Sequence, residues 1–233
     1  MTFSLKVKKN LFSIFLLLFF SLIISCSDSS AEIISATGTV VFDYKDSESK
    51  PDVYLSVYLQ TESEAQRANF VKVYSPDKKY SWNIAEPVIF SGNNKSYAGY
   101  SVLRFLDGKE LPCGVYSVEY RDAAGEQSKS TFSISYNSEL LLSNSKNAKE
   151  KSGLKLTENV ILYDKDFNML FFGNMKNSWR KRSNITKDYS RAVYLRKTLT
   201  TNGTSLMLKL PLEEIKKLDT TNVVDNNSES TDE

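Results

Sequence analysis

Between Ile33 and Tyr136 the apolar residues mostly follow a period of two, and this pattern limits the fold more than any other feature of the sequence. Successive side chains of a strand point to opposite faces of a sheet, so a period of two indicates strands with one buried face. Clusters of turn-forming residues separate the runs. The runs are Ile33–Tyr44, Val53–Gln60, Asn69–Tyr74, Tyr80–Ile84, Tyr100–Phe105, Val115–Arg121 and Ser130–Tyr136. Seven strands in about 100 residues predict two packed sheets.

The segment Leu111–Tyr120 resembles the start of the final hairpin of fibronectin type III and related immunoglobulin-like domains. It reads Leu-Pro-Cys-Gly-Val-Tyr-Ser-Val-Glu-Tyr, and the turn 122–125 and a last strand follow it. In those domains a tyrosine at the position of Tyr116 bonds back to the preceding loop. The resemblance implies an immunoglobulin-like β-sandwich over residues 33–136 of a mainly β protein. It implies no particular function, because such sandwiches serve many roles.

The pattern over residues 137–218 predicts a smaller β-rich (α+β) unit. This unit is either an extension of the sandwich or a second small domain, and the pattern does not distinguish between the two. Within this half, 143–153 is predicted to be a linker or long loop, and 160–163 and 169–172 are predicted to form a hairpin. The remaining expectations are a short helix capped by Thr186 with Tyr189, Ala192 and Val193 on one face, a strand over Ser205–Leu210, and a final helical turn from Pro211 through Leu218. The acidic tail 219–233 is predicted to be disordered.

The first 25 residues have the composition of a secretory signal peptide. Three lysines precede Leu11–Ile24, a run of fourteen residues in which only Ser13 and Ser21 are not apolar. A helix that crosses a bilayer needs roughly 20 apolar residues, so the run is too short for a permanent anchor. Cleavage by ordinary signal peptidase after Ala31 would release a soluble protein beginning at Glu32.

The sequence Leu22-Ile23-Ile24-Ser25-Cys26 resembles the lipobox of bacterial lipoproteins, in its relaxed spirochaete form. The resemblance implies cleavage after Ser25, attachment of diacylglycerol to the sulfur of Cys26, and a tether over 26–32. Lipid chains stabilise membrane attachment by about 0.8 kcal/mol per buried methylene. The protein would then be anchored to the inner or outer membrane of a bacterial envelope, in the periplasm or at the cell surface.

Composition excludes several classes of function. Removal of the leader leaves 27 basic against 28 acidic residues, so the positive charge of the whole chain is no indication of a nucleic-acid partner. The chain has no histidine, which removes the most common general base and most zinc sites. With Cys26 lipidated, Cys113 is the only free thiol, so no intramolecular disulfide can form. Cys113 follows a proline in a turn, where a thiol can be exposed and oxidisable. A partly buried, inert thiol is the favoured interpretation.

Residues 176–197 form the most basic segment, with eight lysines and arginines against the single Asp188. A lipid-tethered protein can press such a segment against anionic headgroups or hold an acidic polysaccharide or partner. A solvated basic face is the simpler interpretation. The candidate polyanion-binding residues are Lys176, Arg180, Lys181, Arg182, Lys187 and Arg191.

Two further patterns favour structural interpretations. The sequence Asp164-Lys165-Asp166-Phe167-Asn168 begins like a calcium loop, but Met169 and Met175 occupy the positions where the loop needs glycine and glutamate. A hairpin turn rich in Asp and Asn explains it better, so no metal site is predicted. Tyr54 and Tyr58 lie on the face of their strand opposite the valines and leucines, where aromatic residues can form a binding surface. Tyrosine is also a good strand former and one strand does not make a patch, so the structural interpretation is favoured.

These features predict a membrane-anchored lipoprotein that acts as a non-catalytic binding, adhesion or envelope-structural module. Its partners would be the membrane, through the lipid, and an unidentified protein or polysaccharide, with no cofactor. The alternative is an accessory protein that binds polyanions or anionic membrane through 176–197. An enzyme is the third hypothesis, disfavoured because no nucleophile is paired with a base in the sequence. Overall the chain resembles the small lipoproteins of spirochaetes.

Overall fold

The computed structural model describes residues 31–62, 67–92, 95–105, 110–201 and 206–215. The predicted leader, Cys26 and the acidic tail lie outside these residues. Twelve strands and two short α-helices form the described fold. The strands are β1 (Ile33–Asp43), β2 (Asp52–Thr61), β3 (Ala68–Tyr74), β4 (Ser81–Ile84), β5 (Val88–Gly92), β6 (Lys95–Leu103), β7 (Gly114–Asp122), β8 (Gln127–Ile134), β9 (Thr157–Tyr163), β10 (Met169–Asn174), β11 (Tyr194–Thr200) and β12 (Leu206–Glu214); the helices are α1 (Ala148–Ser152) and α2 (Arg182–Asp188).

The strands form an eight-stranded sheet, ordered β10-β9-β11-β12-β1-β2-β6-β5, and a four-stranded sheet, ordered β4-β3-β7-β8. Strands β1, β2, β6 and β5 take the places of A, B, E and D of an immunoglobulin sandwich, and β3, β7 and β8 take those of C, F and G. The predicted immunoglobulin-like sandwich is therefore confirmed, with β4 added beside the C position. The sequence pattern did not predict β5, because Val88, Ile89 and Phe90 form a continuous apolar run.

The core between the sheets follows the period of two in the sequence. Val40 and Phe42 of β1 and Leu55 and Val57 of β2 have no exposed surface, whereas Ser56 between them is partly exposed. Alternate side chains of β7 enter the same core from the facing sheet. Burial of each such apolar side chain contributes about 1.5–3 kcal/mol, which accounts for a sandwich without a disulfide.

Tyr116 forms the corner expected from the immunoglobulin resemblance. Its ring is fully buried and stacks on Phe132 with centroids 5.4 Å apart. Its hydroxyl donates a hydrogen bond of 2.8 Å to the carbonyl oxygen of Pro112. Burial raises the pKa of the Tyr116 hydroxyl, so it stays a protonated donor. The contact ties the loop before β7 to the core.

Replacing Tyr116 by Phe should lower the free energy of unfolding by about 1–2 kcal/mol, because the carbonyl of Pro112 loses its partner. Urea denaturation followed by circular dichroism measures the change. Tyr100→Phe is the matched control, since Tyr100 is exposed and its change should stay within about 0.5 kcal/mol. Equal losses in the two variants would contradict a special role for the corner.

Strands β9 to β12 extend the sandwich sheet without a break. Strand β12 pairs in parallel with β1, with Val40 opposite Leu206, and β11 and β9 continue the sheet in antiparallel pairs. The predicted hairpin is present as β9 and β10. The domain boundary near residue 136 stays a prediction, but the eight-stranded sheet contains strands from both sides of it.

The predicted helical turn beginning at Pro211 is wrong, because β12 runs through Pro211 to Glu214. The β11–β12 register shifts between Arg196, opposite Leu212, and Thr198, opposite Lys209. The irregularity therefore lies at Leu210 and Pro211. A bulge tolerates a residue that lacks a backbone N–H, and this explains how a proline remains inside the strand.

A second hydrophobic cluster covers the extension. It contains Val160 and Leu162 of β9, Leu195 of β11, and Trp179 and Ile185 from the segment that crosses the sheet. Leu195 lies four residues before Leu199 of the main core on the same strand, so both cores occupy one face of the large sheet. The opposite face of this sheet is called the outer face here.

The prediction that Thr186 caps a helix carrying Tyr189, Ala192 and Val193 is wrong. Helix α2 spans Arg182–Asp188, its N-cap residue is Lys181, and Thr186 lies inside it. This placement buries Ile185 beside Trp179. Tertiary packing outweighs the local preference of threonine for a cap.

The stretch 143–153 is also more ordered than the predicted linker. It contains α1, which ends at Gly153 in the left-handed conformation. Ala148 is buried in the main core, and the buried hydroxyl of Ser143 lies 2.6 Å from that of Tyr44. These contacts pack the segment against the main core of the sandwich.

Candidate functional site

The outer face carries a groove where the sandwich meets the extension. It has a volume of about 590 Å³ and is broadly open to solvent. Strands β1, β2, β9 and β11 and the loops that follow them supply most of the lining. The lining residues, which define the outer groove, are Asp43, Lys45, Asp52, Arg104, Tyr163, Phe167, Arg196 and Leu212.

Asp43 is the electrostatic centre of the groove floor. Its register opposite Asp52 on β2 and Lys209 on β12 places it between two strands. The carboxylate pairs with Arg196 and, at 3.2 Å, with Lys209. It also accepts a hydrogen bond of 3.2 Å from the hydroxyl of Tyr54. Burial alone would raise the pKa of Asp43, but Lys209 and Arg196 outweigh it and hold that pKa below its usual range.

Arg196 joins three strands beneath the groove. Its Nε donates to the carbonyl of Leu210 at 2.7 Å, and Nη2 donates to the carbonyl of Tyr44 at 3.1 Å and to Asp43. Only 14% of its side chain is exposed. These Nε and Nη2 donors are used within the protein, which makes Arg196 a clamp between β1, β11 and β12.

Arg104 and Lys45 are the accessible cations of the groove. Arg104 pairs with Asp52 and lies 5.1 Å above the ring of Tyr54, yet 48% of its side chain is exposed. Lys45 is exposed and has no ion pair with any described residue. A guanidinium has five N–H donors, so Arg104 keeps several for a ligand.

Phe167 forms an aromatic wall of the groove at the tip of the β9–β10 hairpin. Its φ of 60° lies in the left-handed region, which a bulky residue rarely adopts. The ring stacks on Tyr194 with centroids 4.8 Å apart and planes 4° from parallel. Nevertheless 57% of the residue is exposed, so one face of the ring is open.

The turn that presents Phe167 is held by Asp164. The Oδ1 of Asp164 accepts hydrogen bonds from the backbone N–H groups of Asp166, at 3.0 Å, and Asn168, at 2.9 Å. Its Oδ2 lies 3.2 Å from Arg191. The segment that begins like a calcium loop is thus the predicted Asp/Asn-rich turn, and its first carboxylate organises the backbone.

Most of the positive charges of the basic segment 176–197 are paired with acidic residues of the same chain. Five of its eight cations form ion pairs: Lys176 with Asp188, Arg182 with Glu213, Arg191 with Asp164, Arg196 with Asp43, and Lys197 with Glu158. Three of the candidate polyanion-binding residues, Arg180, Lys181 and Lys187, are exposed and have no ion pair with the described part of the chain. They lie in or beside the 3-10 turn 177–180 and α2.

The remaining candidates from the sequence are Tyr54, Tyr58 and Cys113, which differ in burial. Tyr54 is only 6% exposed, so it supports the groove from below. Tyr58 is partly exposed, and its hydroxyl lies 2.6 Å from that of Ser101. The expectation that Cys113 is partly buried is wrong, because the thiol is exposed. Leu111 and Tyr116 fill the interior on either side and leave Cys113 on the solvent side of the loop.

Sequence reasoning missed the outer groove. Asp43, Arg104 and Arg196 come from distant parts of the chain, and no spacing rule connects them. The sequence did contain a local indication of the position of Phe167. Turns rich in Asp and Asn often need a residue in the left-handed backbone conformation, and a phenylalanine is unusual there.

No helix in the described part of the chain has the length and hydropathy of a membrane span. Comparison with known proteins finds no matching family model and no matching curated protein.

Proposed function

We propose that this chain is a lipid-anchored, non-catalytic binding module of a bacterial cell envelope and that it holds its ligand in the outer groove. The leader and the sequence Leu22–Cys26, which resembles a spirochaete lipobox, support the anchor. The mainly β fold, with a short tether before β1, suits a module displayed close to a membrane.

The observation that carries the proposal is the exposed Phe167. A left-handed phenylalanine costs folding free energy, and such strain persists where surrounding structure enforces it, often at ligand clamps. Here Asp164 and Tyr194 enforce it beside a groove that contains exposed hydrogen-bond donors. Binding sites combine apolar or aromatic walls with a few well-placed polar groups in this way.

The chemistry of the groove favours binding over catalysis. General acid–base catalysis requires a group whose pKa lies near the working pH. Asp43 is committed to two cations, with its pKa lowered, and Asp52 is paired with Arg104. The chain has no histidine to replace them.

Growth of the producing bacterium with radioactive palmitate tests the anchor. The wild-type chain should carry label and fractionate with membranes, whereas Cys26→Ala should carry none, because the substitution removes the sulfur that receives lipid. Cys113→Ala is the matched control and should be labelled like wild type. Label that survives Cys26→Ala, or a mature protein that begins at Glu32, would exclude the anchor.

An array of purified glycans, lipids and envelope proteins tests the groove. Detergent-solubilised wild type should bind a restricted set of spots, and Phe167→Asn with Arg104→Gln should lose them. Asparagine tolerates the left-handed conformation, so the turn is preserved while the ring is removed. Binding that is indifferent to the double substitution would exclude the outer groove as the site.

Binding of polyanions or anionic membrane through 176–197 is the second candidate. Exposed Arg180, Lys181 and Lys187 favour it, whereas the internal pairing of the other five cations reduces the charge offered to a partner. Salt-sensitive retention on heparin that disappears when these three residues become serine would support it. Retention that persists in the triple variant would exclude it.

A further inference from the structure

We infer that the ligand of the outer groove is an acidic saccharide, with a sugar ring on Phe167 and a carboxylate on Arg104 and Lys45. This inference rests on the proposed binding function and names its ligand class. It follows from three properties of the groove: one open aromatic face, accessible cations, and an open shape.

The aromatic face suits a ring with flat apolar patches. Tyr194 covers one face of Phe167 in a nearly parallel stack, and the other face is available to solvent. The C–H groups on one side of a pyranose form such an apolar patch, while its hydroxyls point outward. Tyr163, whose ring centroid lies 6.4 Å from that of Phe167, also lines the groove.

The cations select an acidic sugar over a neutral one. Among the described residues that line the groove there are three cations and two carboxylates, an excess of one positive charge. The Nε and Nη2 donors of Arg196 are used by the protein. Half-exposed Arg104 remains accessible, as does Lys45, which has no ion pair with a described residue. The planar guanidinium of Arg104 matches a carboxylate in geometry, and charge-assisted hydrogen bonds are the strong ones.

The shape permits an internal unit of a chain to bind. The volume of about 590 Å³ lies within the range of small-ligand sites, and the open side leaves room for a chain to continue beyond the contacted rings. An acidic polysaccharide is therefore compatible with the groove, as is its short oligomer.

Titration calorimetry of the detergent-solubilised full-length chain with three tetramers tests the inference. Tetragalacturonate has rings and carboxylates, maltotetraose has rings alone, and tetraglutamate has carboxylates alone. We expect binding of tetragalacturonate, with both other compounds at least about tenfold weaker, because each lacks one of the two interactions.

The same titration with Phe167→Asn and with Arg104→Gln should show affinity for tetragalacturonate reduced by about tenfold each. The matched controls are Phe172→Asn, an exposed phenylalanine on β10, and Arg121→Gln, an exposed arginine on β7. Both should bind like wild type. Thermal unfolding of every variant checks that the fold is retained.

Equal binding of tetraglutamate or maltotetraose, no binding of tetragalacturonate, or groove variants that bind like wild type would overturn the inference. If tetragalacturonate fails while array binding still depends on Phe167 and Arg104, the ligand class is wrong and the binding function stands. If neither depends on them, both proposals fail.

Discussion

Replacing Trp179 by alanine should lower the free energy of unfolding by about 3–5 kcal/mol, which is the range for removing a large aromatic side chain from a core. Trp179 has no exposed surface and is the largest fully buried side chain in the described part of the chain. It makes edge-to-face contacts with Phe171, at 5.0 Å between centroids, and with Tyr189, at 5.8 Å. Its removal leaves a cavity beneath α2.

The substitution also breaks a polar contact. The indole N–H of Trp179 donates to Asp188 at 2.8 Å, and Lys176 lies 4.8 Å above the ring. These contacts join the two ends of the crossing segment. We therefore expect α2 and β9–β11 to loosen together.

Urea denaturation followed by far-ultraviolet circular dichroism measures the loss. Trp179→Phe is the matched control, because it keeps most of the aromatic volume and removes only the indole donor and part of the ring. It should cost less than half as much as alanine. A loss below about 1 kcal/mol for Trp179→Ala would mean that the second core contributes little to stability.

Replacing Asp43 by asparagine should cost about 2–4 kcal/mol at neutral pH, because removal of one partner leaves buried charge uncompensated. Only 17% of the Asp43 side chain is exposed, and the substitution would leave Arg196 and Lys209 without their shared anion. Strands β1, β11 and β12 meet at this network, so the junction between the sandwich and the extension should weaken.

Asp52→Asn is the matched control on the neighbouring strand. Its partner Arg104 is half exposed, and ion pairs of this kind contribute about 0–1 kcal/mol. Equal losses for Asp43→Asn and Asp52→Asn would show that the burial of the Asp43 network has no energetic consequence.

The pH dependence of the same variant has a definite sign. The pKa of Asp43 is lower in the folded than in the unfolded chain, so the folded state binds the proton less readily. Its contribution to stability is fully present above the unfolded pKa of about 3.9 and disappears as the pH falls through the lower folded value. The difference in stability between wild type and Asp43→Asn should therefore be constant from pH 5 to pH 7 and shrink below about pH 4. A difference that grows on acidification would contradict the network.

The strand pattern of the first half was predictable because it depends on local periodicity. A run such as 53–60 must place its valines and leucines on one face wherever its partner strands lie, and the structure buries Leu55, Val57 and Leu59 completely. The Tyr116 corner was predictable for a related reason, since its partner Pro112 is four residues away. Most of the immunoglobulin-like fold therefore follows from short-range information.

The second half was less predictable because its strongest constraints are not local. Pro211 and Thr186 favour a helix start when they are considered alone. In the structure, pairing with β11 keeps Pro211 in a strand, and burial of Ile185 beside Trp179 positions α2 around Thr186. In both places a tertiary contact outweighs the intrinsic helix preference of the residue, which ranges from less than about 1 kcal/mol to about 3 kcal/mol.

By itself the sequence determined the mainly β fold, the approximate positions of most strands, and the absence of a histidine. It also supplied the expectation of a lipid anchor at Cys26. Only the tertiary structure decided which charged side chains remain accessible to a ligand, because ion pairs such as Arg196 with Asp43 join residues far apart in the chain. For the same reason the groove beside Phe167 exists only in the folded protein: parallel pairing of β12 with β1 places residues from both halves of the chain side by side.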